Sequence, residues 1–258
     1  MKTYYYLIQI QYLGFRFHGW QKQPDLKTVH LMVDKTLHFA LGHDKFKSLG
    51  SSRTDSKVSA NCSAFELFLE EAVEIEAFLE VFNSNLPNDI RAIKMEEVDE
   101  KFNIIQTPKL KTYLYLFTYG EKPHPFSAAM MTYFKGELDL DLMTKGAELF
   151  EGKHNFVKYC TKPSSNADFN RTITYCKIEE NTTYSANFFP EKSFALRIES
   201  AGFMRYQVRL IMGQLIRLGR KEIDLGEIIE SLKGEDRKAL DQIAPGSGLI
   251  LQQLEFEI

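Results

Sequence analysis

The first strongly patterned stretch, from Tyr4 to Tyr12, alternates apolar and polar positions. This period of two predicts a half-buried β-strand. The spacing then becomes helical from Thr28 to Leu41, and Gly42 is placed to end that helix. The same reasoning predicts strands at 45–49, 61–69 and 90–98 and a helix at 70–82.

A second series of elements follows after residue 109. The patterns predict strands at 111–119, 172–180, 193–200 and 248–258, and helices at 140–150, 203–218 and 225–232. Apart from the last short helix, each series reads strand, helix, strand, strand, helix, strand, which is the ferredoxin-like unit. We therefore predict an α+β fold of two such halves, residues 1–107 and 108–258, forming a continuous antiparallel sheet with helices mainly on one face.

Composition limits the classes of function. The 258 residues are 44% apolar and 26% charged, which suits a globular protein with a sizeable core. No run approaches the roughly 20 apolar residues of a membrane helix, so we expect a cytoplasmic protein. The three cysteines are far apart, so we expect reduced thiols and no metal site. Because the net charge is −3, an RNA-binding surface would have to be a local basic patch.

The tripeptide Arg53-Thr54-Asp55 places a carboxylate in a Ser- and Gly-rich turn just before an apolar strand. Aspartates in turns often bond nearby backbone amides, so a structural role is one explanation. Four further motifs accompany the tripeptide: Gly19-Trp20-Gln21, Lys111-Thr112-Tyr113, Phe203 through Arg209, and Ala244-Pro245 with Gly248-Leu249. Together and in this order, from Tyr6 to Leu251, the motifs resemble the tRNA pseudouridine synthase A family.

The resemblance implies a function and a set of roles. Members of that family convert uridine to pseudouridine in the anticodon stem-loop of tRNA, at positions 38 to 40, without cofactor or metal. They work as homodimers, with the active site in a cleft between the two halves. By resemblance, Asp55 is the nucleophile, Arg209 pairs with it, Tyr113 lies against the target base, and Arg53 helps to hold the displaced nucleotide.

Simpler explanations exist for most of these residues. Arg205 and Arg209, with Arg217 and Arg220, could form an ordinary solvated helix face, although we expect Arg205, Arg209 and Arg220 to share an arc. Tyr113 could be a plain strand aromatic, and a register error of two would exchange it with Tyr115.

The remaining candidates carry similar alternatives. Arg53 could brace its turn, and Trp20 could anchor its loop in the core instead of facing substrate. Lys111 and Arg205 are candidates for phosphate contacts, as are Lys22, Lys57 and Lys109. The loop-like stretch at 162–170 is expected to move or to contact substrate.

The chain departs from the family pattern at several positions. The family motif Gly-Arg-Thr-Asp-Ala-Gly-Val-His-Ala reads Ser-Arg-Thr-Asp-Ser-Lys-Val-Ser-Ala at residues 52–60. Ile105 and Leu210 replace an arginine and an asparagine that the family usually has. Glycines at positions 52 and 57 would allow close approach or positive φ, which Ser52 and Lys57 resist.

These differences leave alternatives open. They are an impaired RNA-binding or RNA-folding paralogue, a pseudouridine synthase for a different RNA, and a ferredoxin-like interaction module unrelated to RNA.

Overall fold

The computed structural model describes residues 3–163, 167–234 and 238–256, without the side chains of residues 108 and 109. Part of the predicted substrate loop, residues 164–166, and the predicted phosphate contact of Lys109 therefore lie outside the described residues. The chain forms two compact units, one from Met1–Lys109 with Leu251–Ile258 and the other from Leu110–Ile250. Among the described residues, none of the helices has the length and apolar character that crossing a membrane would need. The predicted split into functional domains at residues 107 and 108 stays a prediction.

The first unit has the predicted order of elements. They are β1 (Tyr4–Tyr12), α1 (Val29–Leu41), β2 (Phe46–Gly50), β3 (Ser59–Leu69), α2 (Ile75–Asn85) and β4 (Ile90–Glu97). β1 pairs with β3 and β4, and β2 pairs with β3, all antiparallel. The Thr28 side chain caps α1 at its start and Gly42 ends it in the left-handed conformation, as the sequence predicts.

The second unit contains most of the remaining elements. They are β5 (Pro108–Gly120), β6 (Thr132–Lys135), α3 (Leu140–Glu148), β7 (Gly152–Asn155), β8 (Asn170–Glu180), β9 (Phe194–Ser200), α4 (Gln207–Gly219), α5 (Leu225–Ser231) and β10 (Leu249–Phe256). β5 pairs with β9, β9 with β8 and β8 with β7, all antiparallel. β10 has its first two residues in this unit and the rest in the first unit, where it lies beside β3.

The α+β class is confirmed, but the all-antiparallel sheet is wrong. β6 pairs with β5 in parallel, so the sheet is mixed. Neither β6 nor β7 was predicted, because each has four residues, too few to display a period of two. The cleft between the two halves stays a prediction.

Two helix starts also differ from the predictions. α2 begins at Ile75 instead of residue 70, because the Glu74 carboxylate accepts from the amides of Glu76 and Ala77 and so caps the helix there. α4 begins at Gln207 instead of residue 203, because Tyr206 has a φ of 64°, which a right-handed helix excludes.

Each unit has its own apolar core. In the first unit a buried cluster joins β1, β3 and β10 to the segment after β4: Leu7, Ala64, Val98, Ile104 and Leu254. In the second unit a corresponding cluster lies along β5, β9 and the start of β10: Leu114, Leu116, Met131, Ala195 and Ile250. These cores hold the strand ends and loops that carry the candidate site residues.

Candidate active site

The turn between β2 and β3 carries Asp55. The Asp55 side chain is half-buried, Thr54 is buried, and Arg53 is exposed. The Thr54 hydroxyl lies 2.8 Å from the hydroxyl of Tyr12 on β1. Burial raises the pKa of Tyr12 to about 12, so the phenol is neutral at physiological pH. The Val58 amide donates to the Asp55 carbonyl at 3.1 Å and closes the turn.

A second loop, residues 13–20, supports this turn through its backbone; we call it the bracing loop. The Trp20 amide donates to the Thr54 carbonyl at 3.0 Å, and the Lys57 amide donates to the Phe17 carbonyl, also at 3.0 Å. Both bonds flank Asp55 in sequence. The peptide groups on either side of the candidate nucleophile are therefore fixed from outside the turn.

Two glycines let the bracing loop approach so closely. A Cβ at Gly14 would overlap the carbonyl oxygen of Val58. A Cβ at Gly19, whose φ is 84°, would lie 2.6 Å from the carbonyl oxygen of Thr54. Side chains at these positions would push the two loops apart.

Trp20 anchors the bracing loop in the core. Its side chain is 2% exposed, and its ring stacks on the imidazole of His30 with a centroid distance of 5.3 Å. Burial lowers the pKa of His30, although Asp34 opposes the effect. His30 Nε2 lies 2.8 Å from the Ser48 hydroxyl on β2, which ties this stack to the strand that leads into the Asp55 turn.

In the second unit, Arg209 lies in the first turn of α4. Its Nε donates to the Ala244 carbonyl at 2.7 Å, and the Ala244 amide donates back to the Arg209 carbonyl at 3.1 Å. The guanidinium carbon lies 4.9 Å from the centroid of the Tyr206 ring. The head group is therefore oriented by a carbonyl and an aromatic face.

The Ala244-Pro245 segment links Arg209 to β5. The Tyr115 hydroxyl donates to the Pro245 carbonyl at 2.8 Å and lies 3.0 Å from the Thr132 hydroxyl. Burial raises the pKa of Tyr115, and the bond to Thr132 and the charge of Arg209 only partly oppose this. The Ala244-Pro245 motif is recognisable in the sequence, but no local pattern shows that it holds Arg209 and Tyr115.

Tyr113 and Lys111 lie on β5 before Tyr115. Tyr115 is fully buried, whereas Tyr113 is half-buried and packs edge-on against Phe203, with ring centroids 5.3 Å apart. Of the two tyrosines, Tyr113 is thus the one with a surface that a ligand can reach. Lys111 is also half-buried, and burial lowers the pKa of its ammonium group.

The four arginines around α4 do not form one face. Within α4, every residue except Arg209 and Arg217 is buried, and these two are half-buried. Arg205 lies outside the helix, so it does not share an arc with Arg209 and Arg220 as predicted. It is exposed, and its guanidinium carbon lies 5.3 Å from the same Tyr206 ring that Arg209 contacts.

Arg217 and Arg220 belong to the other end of α4. Arg217 lies 3.7 Å from Glu222, and Arg220 donates to the Lys135 carbonyl at 3.2 Å. The structure therefore brings Arg205 and Arg209 together at Tyr206 and separates both from Arg217 and Arg220.

The departures from the family motif have unequal consequences. Lys57 has a φ of 66°, so the chain keeps the left-handed conformation at the position where the family has glycine. Ser52 is buried and has no positive φ. The Ser59 hydroxyl accepts from the Gly14 amide at 2.9 Å and joins the contacts of the bracing loop. Ile105 is exposed and Leu210 is fully buried.

The described residues contain no group of three or more His, Cys, Asp or Glu side chains that could hold a metal ion. All three cysteines are free thiols.

Comparisons with known proteins find relatives that match nearly the whole chain. A family model described as tRNA pseudouridine synthase matches residues 147–257. A tRNA pseudouridine synthase A from Clostridium botulinum is 31% identical over 247 residues, which cover 96% of this chain and 97% of that protein. One from Thermodesulfovibrio yellowstonii is 29% identical over 96% of this chain and 97% of its own length. A tRNA pseudouridine synthase A 2 from Clostridium perfringens is 30% identical, with 96% and 98% covered. The chain therefore belongs to the tRNA pseudouridine synthase A family.

Proposed function

We propose that this protein is an isomerase that converts uridine to pseudouridine in tRNA. Its curated relatives have that activity in their names and match it over nearly their full length. The reaction breaks the glycosidic bond, rotates the base and reattaches it through carbon. It therefore needs a nucleophile and a proton acceptor but no external reagent.

Asp55 is the nucleophile in this proposal. The observation that carries the assignment is the fixed turn: a half-buried carboxylate lies between two backbone hydrogen bonds from the bracing loop, beside the buried Tyr12–Thr54 pair. A nucleophile that is held in one orientation attacks without first losing conformational freedom. Attack on the base and attack on the sugar are both compatible with this turn.

A half-buried carboxylate needs a nearby cation to stay ionised when substrate excludes water. We assign that cation to Arg209, as the family resemblance implies. The assignment is supported by the way in which Ala244 and Tyr206 fix the guanidinium group, since a preorganised charge stabilises an ion more effectively than a mobile one.

Other side chains bind the RNA. Tyr113 stacks on the target uracil with its accessible face, and its hydroxyl takes part in proton transfer. Arg53, exposed beside Asp55, holds the nucleotide that has left the helical stack. Arg205 and Lys111 bind phosphates, which contribute affinity through counterion release.

The finer assignments follow the family. We propose that the substrate region is the anticodon stem-loop, at positions 38 to 40, that the enzyme works as a homodimer, and that it acts in the cytoplasm, where its tRNA substrate is found. Sedimentation at working concentration tests the dimer, and a purely monomeric protein that retains full activity would exclude it.

The decisive experiment uses unmodified tRNA transcripts and maps pseudouridine by base. Asp55→Asn keeps the size of the side chain but removes the nucleophile, so we expect the rate to fall by about a thousandfold or more. Asp25→Asn is the matched control, because it makes the same change at an exposed position of the same unit. Wild-type rates in Asp55→Asn would refute the assignment.

A synthase for a different RNA is the second candidate, favoured by the altered residues that follow Asp55. If the wild type leaves tRNA unmodified, mapping pseudouridine in total cellular RNA with and without the protein decides this. A protein that binds tRNA but modifies no RNA would be the impaired paralogue.

A further inference from the structure

Lys57 adopts a backbone conformation that does not suit it. Its φ is 66°, in the left-handed region that lysine rarely occupies and glycine occupies freely. A glycine there would make the same turn with less strain. The requirements of the turn therefore do not explain why the chain has a long cationic side chain two residues after Asp55.

The side chain of Lys57 lies against an exposed aromatic ring. Its Nζ is 5.6 Å from the centroid of the Phe15 ring, and Phe15 is 43% exposed, which is unusual for a phenylalanine. The backbone of Lys57 is fixed, because its amide donates to the Phe17 carbonyl at 3.0 Å. The bracing loop and the Asp55 turn thus present an ammonium group and a flat apolar surface together.

From this arrangement we propose that Lys57 and Phe15 form a contact for the RNA strand next to the candidate nucleophile. The Lys57 ammonium binds a backbone phosphate close to the reacting nucleotide, and the Phe15 ring packs against the neighbouring base. Combined cations and aromatic faces are the usual means of holding a single strand. The inference rests on the proposed function and adds a substrate contact that the glycine of the family motif cannot make.

The position of Lys57 suits a strand that has been distorted for catalysis. Arg53 is exposed two residues before Asp55, and Lys57 is exposed two residues after it. Cations on both sides of the nucleophile can hold the two phosphates that flank an extruded nucleotide. Because the whole chain carries a net charge of −3, such local cations matter more than they would in a basic protein.

The test measures tRNA affinity over a series of salt concentrations, together with the kinetics of pseudouridine formation. The variants are Lys57→Gly, Lys57→Met and Lys57→Arg. The matched control is Lys221→Gly, since Lys221 also has a left-handed φ, 61°, and its Nζ pairs with Asp139 at 3.2 Å in the second unit. Lys57→Gly and Lys221→Gly lose the same charge and relieve the same kind of strain.

We expect Lys57→Gly and Lys57→Met to weaken binding about three- to tenfold at low salt. The slope of log affinity against log salt should fall by about 0.7 to 0.9, the value of one phosphate contact. KM should rise while kcat stays within about twofold. Lys57→Arg and Lys221→Gly should bind like the wild type, and thermal melting should show that Lys57→Gly is at least as stable as the wild type.

Two results would overturn the proposal. One is unchanged affinity and salt slope in both Lys57→Gly and Lys57→Met. The other is an equal loss in Lys221→Gly, which would show that net charge alone matters. Either result leaves the proposed function intact if the wild type still forms pseudouridine, whereas an inactive wild type with a normal Lys57 effect would refute the function alone.

Discussion

Tyr113 and Tyr115 give a sharp test of how β5 is used, because the same atom can be removed from each. Both alternate along one strand, but the Tyr115 hydroxyl is buried between Thr132 and Pro245, whereas Tyr113 packs edge-on against Phe203 with part of its ring exposed. We predict that Tyr115→Phe reduces stability and that Tyr113→Phe reduces activity.

The magnitude for Tyr115→Phe follows from its two hydrogen bonds. Each intramolecular bond contributes about 0.5–1.5 kcal/mol net, so removing both should lower the free energy of unfolding by about 1–3 kcal/mol. A unit of this size loses about 2–4 °C of melting temperature per kcal/mol. Tyr113→Phe keeps the edge-on ring contact with Phe203.

Activity should respond in the opposite way, with the larger loss in Tyr113→Phe. If the Tyr113 hydroxyl takes part in proton transfer, its loss should lower kcat by about a hundredfold. Tyr115→Phe should retain most of its kcat at temperatures well below its melting transition. Urea unfolding and single-turnover pseudouridine formation measure the two effects separately. A stable, inactive Tyr115→Phe beside an active Tyr113→Phe would exchange the two roles and refute the reasoning.

Two further predictions concern the first unit. Glu66 is 2% exposed and burial raises its pKa, so folding loses stability as pH rises through the ordinary carboxyl range and up to the folded pKa. Glu66→Gln should therefore be more stable than the wild type at pH 7, by about 1.4 kcal/mol per unit of pKa difference, and the gap should close near pH 4 in paired urea titrations. Gly14→Ala should destabilise the unit by about 1–3 kcal/mol, because its Cβ would overlap the Val58 carbonyl oxygen. Gly14→Ala should also lower the rate of pseudouridine formation at 25 °C by more than the unfolded fraction of the variant explains. A wild-type rate in a folded Gly14→Ala variant would show that the bracing loop does not position Asp55.

Much of the fold could be predicted from local patterns. The bounds of β1 were predicted correctly, and α1 was placed to within a residue, because Thr28 and Gly42 signal its ends chemically. The start of α4 was missed because left-handed residues are recognised in sequence as glycine or asparagine, and Tyr206 is neither. Its conformation depends on contacts made after folding.

The candidate site, like the fold, can be predicted from the sequence only in part. The motifs predict roles for Asp55, Tyr113 and Arg209, since their residue types suit the chemistry and their order resembles a known family, and these roles stay predictions. The hydrogen bond from Arg209 to Ala244 joins residues 35 positions apart, so no local pattern could reveal it. The bond between Tyr12 and Thr54 was likewise invisible, because it depends on how β1 packs beside the turn.

Left-handed residues lie within three positions of both Asp55 and Arg209. Lys57 follows Asp55 by two positions, and Tyr206 precedes Arg209 by three. Such conformations persist only where the surroundings fix them. The Tyr206 ring contacts two guanidinium groups, with its centroid 5.3 Å from the guanidinium carbon of Arg205 and 4.9 Å from that of Arg209. If α4 instead continued back through this residue in a regular helix, the Tyr206 ring would change its place against Arg209. We therefore interpret the strain at Tyr206 as the cost of orienting Arg209, and the strain at Lys57 as the cost of placing a cation beside Asp55.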